Sequence, residues 1–198
     1  MTAAEIATRP AGRSAGRLQT IAVIAVTAVV IAIVAFLVGG GAGDDGVTKV
    51  SLTGVAGKAP AVGDLPPDFT AKTWDGKTVS LSDYAGKPLW LTFGASWCPD
   101  CRSEVADVEA TYLKYQPKGL ALLAVFISEP ATDIGGYAQR AGLTFPIAVD
   151  TNTRIASTYQ TLGIPTHFFI GADGRIREIR IGALHANDMD AAVAALMP

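Results

Sequence analysis

The chain has 198 residues, 49% hydrophobic and 17% charged, with 16 Lys and Arg against 18 Asp and Glu, a formal net charge of -2 and 2 cysteines. These values exclude a disordered polyelectrolyte and a nucleic-acid surface spread over the whole chain. They also exclude a disulfide-stapled miniprotein and a four-cysteine zinc module.

The apolar excess is concentrated near the start. Residues 1–20 carry Arg9, Arg13 and Arg17 against Glu5 alone, and residues 21–38 are then hydrophobic throughout except for Thr27. As a helix that run is roughly 27 Å long, close to the hydrocarbon thickness of a bilayer. A helix buried in a globular core would carry a polar stripe, and none is present. The basic flank predicts a cytoplasmic N-terminus, a single transmembrane signal anchor over 21–38 and an extracytoplasmic remainder. The alternative is secretion after cleavage among the small residues 39–43. Residues 39–63, rich in Gly, Ala and Val, read as a linker, and 64–198 are long enough for one domain with a real core. Beyond residue 44 the chain stays net acidic, so a basic membrane-binding patch is not indicated.

Within the domain, strand-like and helix-like runs alternate. A short hairpin is expected from Pro66 to Thr78 with Asp75-Gly76 in its turn. A buried strand over 89–93 precedes a helix over 99–115, and the strongest strand is 120–128. A helix over 133–141 with Gly142 as C-cap, a strand over 146–149 and a helix over 153–161 follow. Strands 167–170 and 176–181 join through Ala172-Asp173-Gly174. The close is a helix with Met189, Ala192, Val193 and Leu196 on one face. The pattern predicts a three-layer α/β domain with a mixed sheet and helices on both faces.

Both cysteines lie in Cys98-Pro99-Asp100-Cys101, directly after a buried strand and at the mouth of a helix. Residues three apart on a helix have Cα atoms roughly 5 Å apart, within the range a disulfide needs. Cys98, near the N-cap, meets unpaired backbone N–H groups that favour the thiolate, and is the expected nucleophile. Cys101 heads the stripe of Val105, Val108, Tyr112 and Tyr115, so it is expected to be the more buried thiol. A buried thiol needs a proton acceptor before it resolves a mixed disulfide, and Glu104, one turn further on, is the candidate. On chemistry alone Glu104 is equally a solvated charge beside Asp107 and Glu109. A passive staple is the weaker reading of the pair, because a four-residue loop gains only about 2 kcal/mol. A zinc site would need more ligands than His167 and His185 supply at any ligand-like spacing, so no metal and no cofactor is expected. His167, in a Phe-rich strand, reads as a packed histidine, and Trp97 either covers the thiols or packs a turn. Local sequence leaves the Ile164–Pro165 bond trans.

Phe93-Gly94-Ala95-Ser96-Trp97-Cys98-Pro99-Asp100-Cys101 with Glu104, then Gly142-Leu143-Thr144-Phe145-Pro146 and Asp150, then Gly163-Ile164-Pro165-Thr166 with Phe168-Phe169-Ile170 and Asp173-Gly174, resemble the TlpA/ResA group of membrane-anchored thioredoxin-like proteins. The resemblance covers about residues 63–198. It implies a thioredoxin-like fold with an N-terminal β-hairpin and a βα insertion near 132–149. It also implies a cis Pro165 facing the cysteines in a substrate groove with Trp97, Ile164 and Thr166, and places Glu104 as the acid near the buried thiol. The implied activity is extracytoplasmic thiol-disulfide exchange on exported proteins, such as apocytochrome c or copper-site thiols, with electrons from a membrane thiol-disulfide donor. One departure is the order Pro99-Asp100, where the family commonly has Pro before the second cysteine. Pro suits the first helical position and Asp the first turn. A carboxylate beside both sulfurs disfavours thiolate, which predicts a less oxidising couple than a neutral residue there would give. Two rival readings are a peroxiredoxin-like peroxidase and a copper chaperone or tethered binding module. The Pro-x-x-x-Thr-x-x-Cys pattern that peroxidase sites resemble is absent before Cys98, and the chaperone would need His167 beside the cysteines.

Overall fold

The computed structural model describes residues 14–39, 51–53 and 57–197, with side chains for 21–34 and 57–197. The chain divides into two compact units, Met1–Asp45 and Gly46–Pro198. In the first, α1 (Ser14–Gly39) is one helix whose described side chains are exposed on every side. Thr27 Oγ1 donates to the Val23 carbonyl at 2.8 Å, so the hydroxyl that interrupts the apolar run is satisfied inside the helix. Among the described residues no helix is long and apolar enough to cross a membrane. The expected span 21–38 runs past the last described side chain of α1, Val34.

The second unit begins with β1 (Ser51–Thr53), β2 (Asp68–Lys72) and β3 (Thr78–Ser80) in a three-stranded antiparallel sheet. The expected hairpin is β2–β3, and Gly76 takes φ 82° in its Asp-Gly turn, where a side chain would be strained. β1 lies inside the segment read as a linker, because β2 offers a free edge that Ser51, Leu52 and Thr53 can pair. Near the end of that segment, the Gly63 N–H donates to the Ile176 carbonyl at 2.8 Å.

The main sheet is built from β4 (Leu89–Gly94), β5 (Ala121–Ile127), β6 (Ile147–Asp150), β7 (Thr166–Ile170) and β8 (Ile176–Ile181) in the order β6-β5-β4-β7-β8. β4, β5 and β6 are parallel, β7 is antiparallel to β4 and β8 is antiparallel to β7, which makes the sheet mixed as expected. The helices are α2 (Pro99–Tyr115), α3 (Ala131–Ala141), α4 (Arg154–Thr158) and α5 (Ala186–Ala194). α4 is shorter than the expected 153–161 because Gln160 turns left-handed at φ 51°. The hairpin covers the β6 edge, where Thr73 bridges Ala148 and the Trp74 N–H reaches the Ile147 carbonyl.

β4 is buried at every position, as a central strand covered on both faces must be. Its period of two sends Leu91 and Phe93 to one face with Phe69, Val125, Tyr159 and Phe168. Trp90 goes to the other with Val108, Leu122, Phe169, Met189 and Val193, beneath α2, α3 and α5. Each such side chain contributes about 1.5–3 kcal/mol of burial free energy. The outcome is a thioredoxin-like α/β fold, with the end of β4 and the start of α2 at the chemistry.

Candidate active site

Cys98 is the N-cap of α2, with extended backbone at φ -78° and ψ 119°. Its Sγ accepts the Cys101 N–H at 3.1 Å, taking up one of the donors that a helix start leaves free. Pro99 occupies the first turn, where its missing N–H costs nothing, and Asp100 adds a favourable negative charge there. Cys98 and Cys101 form a disulfide with Cα atoms 5.3 Å apart.

The expected difference in burial between the two is not found: Cys98 is 4% and Cys101 7% exposed. The helix stripe does bury Cys101, but Cys98 is covered as well, because Ala95, Ile127 and Ile164 close over the pair. The Ile164 and Pro165 segment supplies that cover. Their peptide bond is cis, and the Ile164 carbonyl oxygen lies 3.8 Å from Cys98 Sγ. The segment is anchored on both sides: the Pro165 carbonyl accepts the Gly182 N–H at 2.8 Å, and Thr166 Oγ1 donates to the Gly163 carbonyl at 2.6 Å. Trp97 is 54% exposed, so it borders the pair without sealing it. Leu162, at 95%, stands free before the cis bond.

Two carboxylates sit beneath this surface. Glu104 is buried, so its reading as a solvated charge does not hold. It shares the lining of a cavity of about 20 Å³ with Cys101, Thr92 and Pro165, room for a single water. Its Oε2 accepts the Leu184 N–H at 2.8 Å, and its Oε1 lies 3.4 Å from His167 Nε2. His167 is fully buried, as a packed histidine would be, but in a polar setting: Trp90 Nε1 and Thr92 Oγ1 lie 3.2 and 3.0 Å from its Nδ1. The second carboxylate, Glu129, escaped the sequence reading. It accepts the Ser96 N–H at 2.6 Å and the Ser96 hydroxyl, which pins the loop leading into Cys98. Its only sequence signal is an acidic residue ending an apolar strand. Tyr137 is close enough to respond to these groups. Burial pushes its phenol above the ordinary value, Arg102 opposes the shift, and Glu129 and Glu104 reinforce it.

A match to the AhpC/TSA family covers residues 62–179, from the loop before β2 into β8, and includes both cysteines and the cis-proline segment. The chain belongs to the AhpC/TSA family. Within it, the chain is 34% identical over 140 residues to the thiol-disulfide oxidoreductase ResA of Geobacillus thermodenitrificans, covering 71% of this chain and 80% of that protein. It is 36% identical over 127 residues to ResA of Oceanobacillus iheyensis, covering 62% and 66%. Among solved structures, a thiol:disulfide interchange protein of the thioredoxin family from Chlorobium tepidum superposes with TM-score 0.62 at 25% identity, covering 73% of this chain and all of that one. StoA from Bacillus subtilis superposes with TM-score 0.56 at 26% identity, covering 64% and 96%. With a Cys-x-x-Cys disulfide at the head of α2, this AhpC/TSA family member is a protein disulfide oxidoreductase of the ResA type.

Proposed function

We propose that the chain is a membrane-anchored, extracytoplasmic reductant of disulfides in exported proteins, with apocytochrome c and copper-site thiols as the substrate classes its ResA resemblance suggests. Reduced Cys98, as thiolate, attacks one sulfur of a substrate disulfide and releases the other as thiolate. Glu104 takes the proton from Cys101. The Cys101 thiolate then attacks Cys98 Sγ, breaks the bond to substrate and releases its second sulfur. Two electrons have passed to the substrate, and a membrane dithiol donor restores the Cys98–Cys101 dithiol. The observation that carries this reading is the buried Glu104 carboxylate sharing a one-water cavity with Cys101. The apolar run 21–38 and its basic flank support the anchor.

In cells that export the protein, a Cys101→Ser variant is expected to accumulate mixed disulfides through Cys98 with exported proteins. Recovery of none overturns the proposal. The family match also admits a peroxidase, which predicts hydrogen peroxide consumption with a thiol reductant. Absence of that activity, alongside trapped substrates, separates the two. A copper site is disfavoured because His167 Nδ1 already faces Trp90 and Thr92 and its Nε2 faces Glu104. Copper titration against His167→Ala tests it.

A further inference from the structure

His167 is a buried titratable side chain to which the exchange mechanism above gives no task, and its surroundings determine where its proton sits. The Trp90 indole N–H is a donor only, and it points at His167 Nδ1 from 3.2 Å. Nδ1 must therefore be the unprotonated, accepting nitrogen. The Thr92 hydroxyl, 3.0 Å from the same atom, is then free to donate as well. Turning the ring over would set a C–H against both donors and forfeit both bonds. In the neutral ring the remaining proton lies on Nε2, and an imidazolium would direct a second N–H into the indole N–H. Among the described residues Nε2 has no hydrogen-bond partner of normal geometry, and Glu104 Oε1 lies 3.4 Å from it. A buried donor of this kind is costly unless it finds an acceptor.

The other groups around the ring do not compete for Nε2. Arg180 of β8 is the register partner of His167, but it is exposed and paired with Glu178. The Leu184 N–H, between β8 and α5, is taken by Glu104 Oε2. From α2 only Glu104 faces the imidazole with a charge among the described ion pairs.

We propose that Trp90 and Thr92 lock His167 as the Nε2–H tautomer, and that this imidazole is a positioning residue that holds the Glu104 carboxylate toward the Cys101 cavity. The inference rests on the reading of Glu104 as acceptor of the Cys101 proton. Glu104 Oε2 is held by the Leu184 N–H, and Oε1 lies 3.4 Å from Nε2, within reach of the proton there, in a carboxylate that lines the cavity Cys101 shares. The proton leaves Cys101 Sγ for the Glu104 carboxylate. His167 keeps its own proton throughout, because Nε2 already carries one and Nδ1 is occupied by donors.

The chain has 2 histidines, so nitrogen-15 NMR of the full chain, labelled at histidine and held in detergent micelles at neutral pH, reads the lock directly. His167 is expected as a single Nε2–H tautomer, and loss of its signals in His167→Gln assigns it. An Nδ1–H tautomer, an imidazolium or an averaged pair overturns the lock, whatever the variants do. The positioning role is read from single-turnover exchange with a small disulfide. His167→Leu is expected to slow resolution by Cys101 by up to about a hundredfold, the loss a misplaced reacting group can cause. Capture by Cys98, measured in a Cys101→Ser background, should be unchanged. His167→Gln, which retains an N–H donor, should recover most of the rate. Wild-type resolution in His167→Leu, or equal slowing in both variants, overturns the positioning role. Glu104→Gln separates the layers. If it resolves at the wild-type rate, the underlying reading of Glu104 fails. If it is slow while His167→Leu is not, only the positioning inference fails.

Discussion

The two faces of β4 solve opposite problems with neighbouring residues. On one face Leu91 and Phe93 enter a hydrocarbon cluster with Phe69, Tyr159 and Phe168, where even the Tyr159 hydroxyl is directed out to the Pro67 carbonyl at 2.7 Å. On the other, Trp90 and Thr92 turn polar atoms inward to His167, which faces Glu104. The first gains its stability chiefly from apolar area, whereas the second buries polar atoms that need partners, as Trp90 and Thr92 supply to His167 Nδ1 and the Leu184 N–H to Glu104. One strand thus separates the fold's foundation from its chemistry by a single residue of register.

Substitutions on the two faces should therefore act on different observables. The largest effect is expected from Cys98→Ala, which removes the proposed nucleophile. Disulfide reduction in a single-turnover assay should be abolished while the cooperative denaturation transition persists. Phe93→Ala, on the hydrocarbon face, is expected to cost about 3–5 kcal/mol, read as a lowered urea midpoint. The reduction potential of the surviving folded protein should stay near that of the parent. Thr92→Val, one residue away and nearly the same shape, should cost only about 1 kcal/mol by losing one buried hydrogen bond. It should nevertheless slow resolution by Cys101 more than Phe93→Ala does, with rates compared for folded protein. If the two variants shift rate and stability in the same proportion, the division between the faces is wrong.

Asp150 tests the hydrocarbon face at its margin. It follows Ala148 on that side of β6 and accepts the Ala156 N–H at 2.9 Å, yet its Oδ1 has no hydrogen-bond partner among the described residues. Burial raises its pKa above 3.8, while the N–H groups of Ala156, Ile155 and Arg154, and the Arg154 charge, oppose the shift. The folded state then holds this proton more tightly than the unfolded chain. The associated stability is present below the unfolded value and lost as pH rises through the raised folded value. Asp150→Asn keeps an acceptor for the cap but does not titrate. Its urea midpoint relative to the parent is expected to improve as pH climbs above about 4 and then level off. Midpoints that run parallel from pH 3 to 7 contradict this.

The smallest effect is expected at Asp100, which is exposed in the first turn of α2. Solvent screens it, so Asp100→Asn should shift the reduction potential only slightly, toward a more oxidising couple. An unchanged potential and an unchanged Cys98 thiol titration would remove Asp100 from the redox argument.

Much of this arrangement was legible along the chain because it is local. Cys98 and Cys101 are three apart at a helix start, so rise and rotation alone bring their Cα atoms to 5.3 Å. The short apolar run over 89–93 likewise announces a buried strand, and Asp75-Gly76 its hairpin turn. Glu104 was within reach because it lies less than one turn beyond Cys101, but its burial was not, since that depends on His167 arriving from β7 and Leu184 from the segment after β8. Three features required distant partners: the cover over Cys98, the clamp of Glu129 on Ser96, and the Trp90–His167–Glu104 contacts. Each joins residues tens of positions apart, and the register that pairs Thr92 with His167 sets the last of them. Helix geometry and hydrophobic period are properties of a few consecutive residues, so the redox pair and the layers of the fold can be read along the chain. Which polar atoms meet inside the sheet depends on how residues 75 positions apart align on neighbouring strands, and no local pattern carries that register.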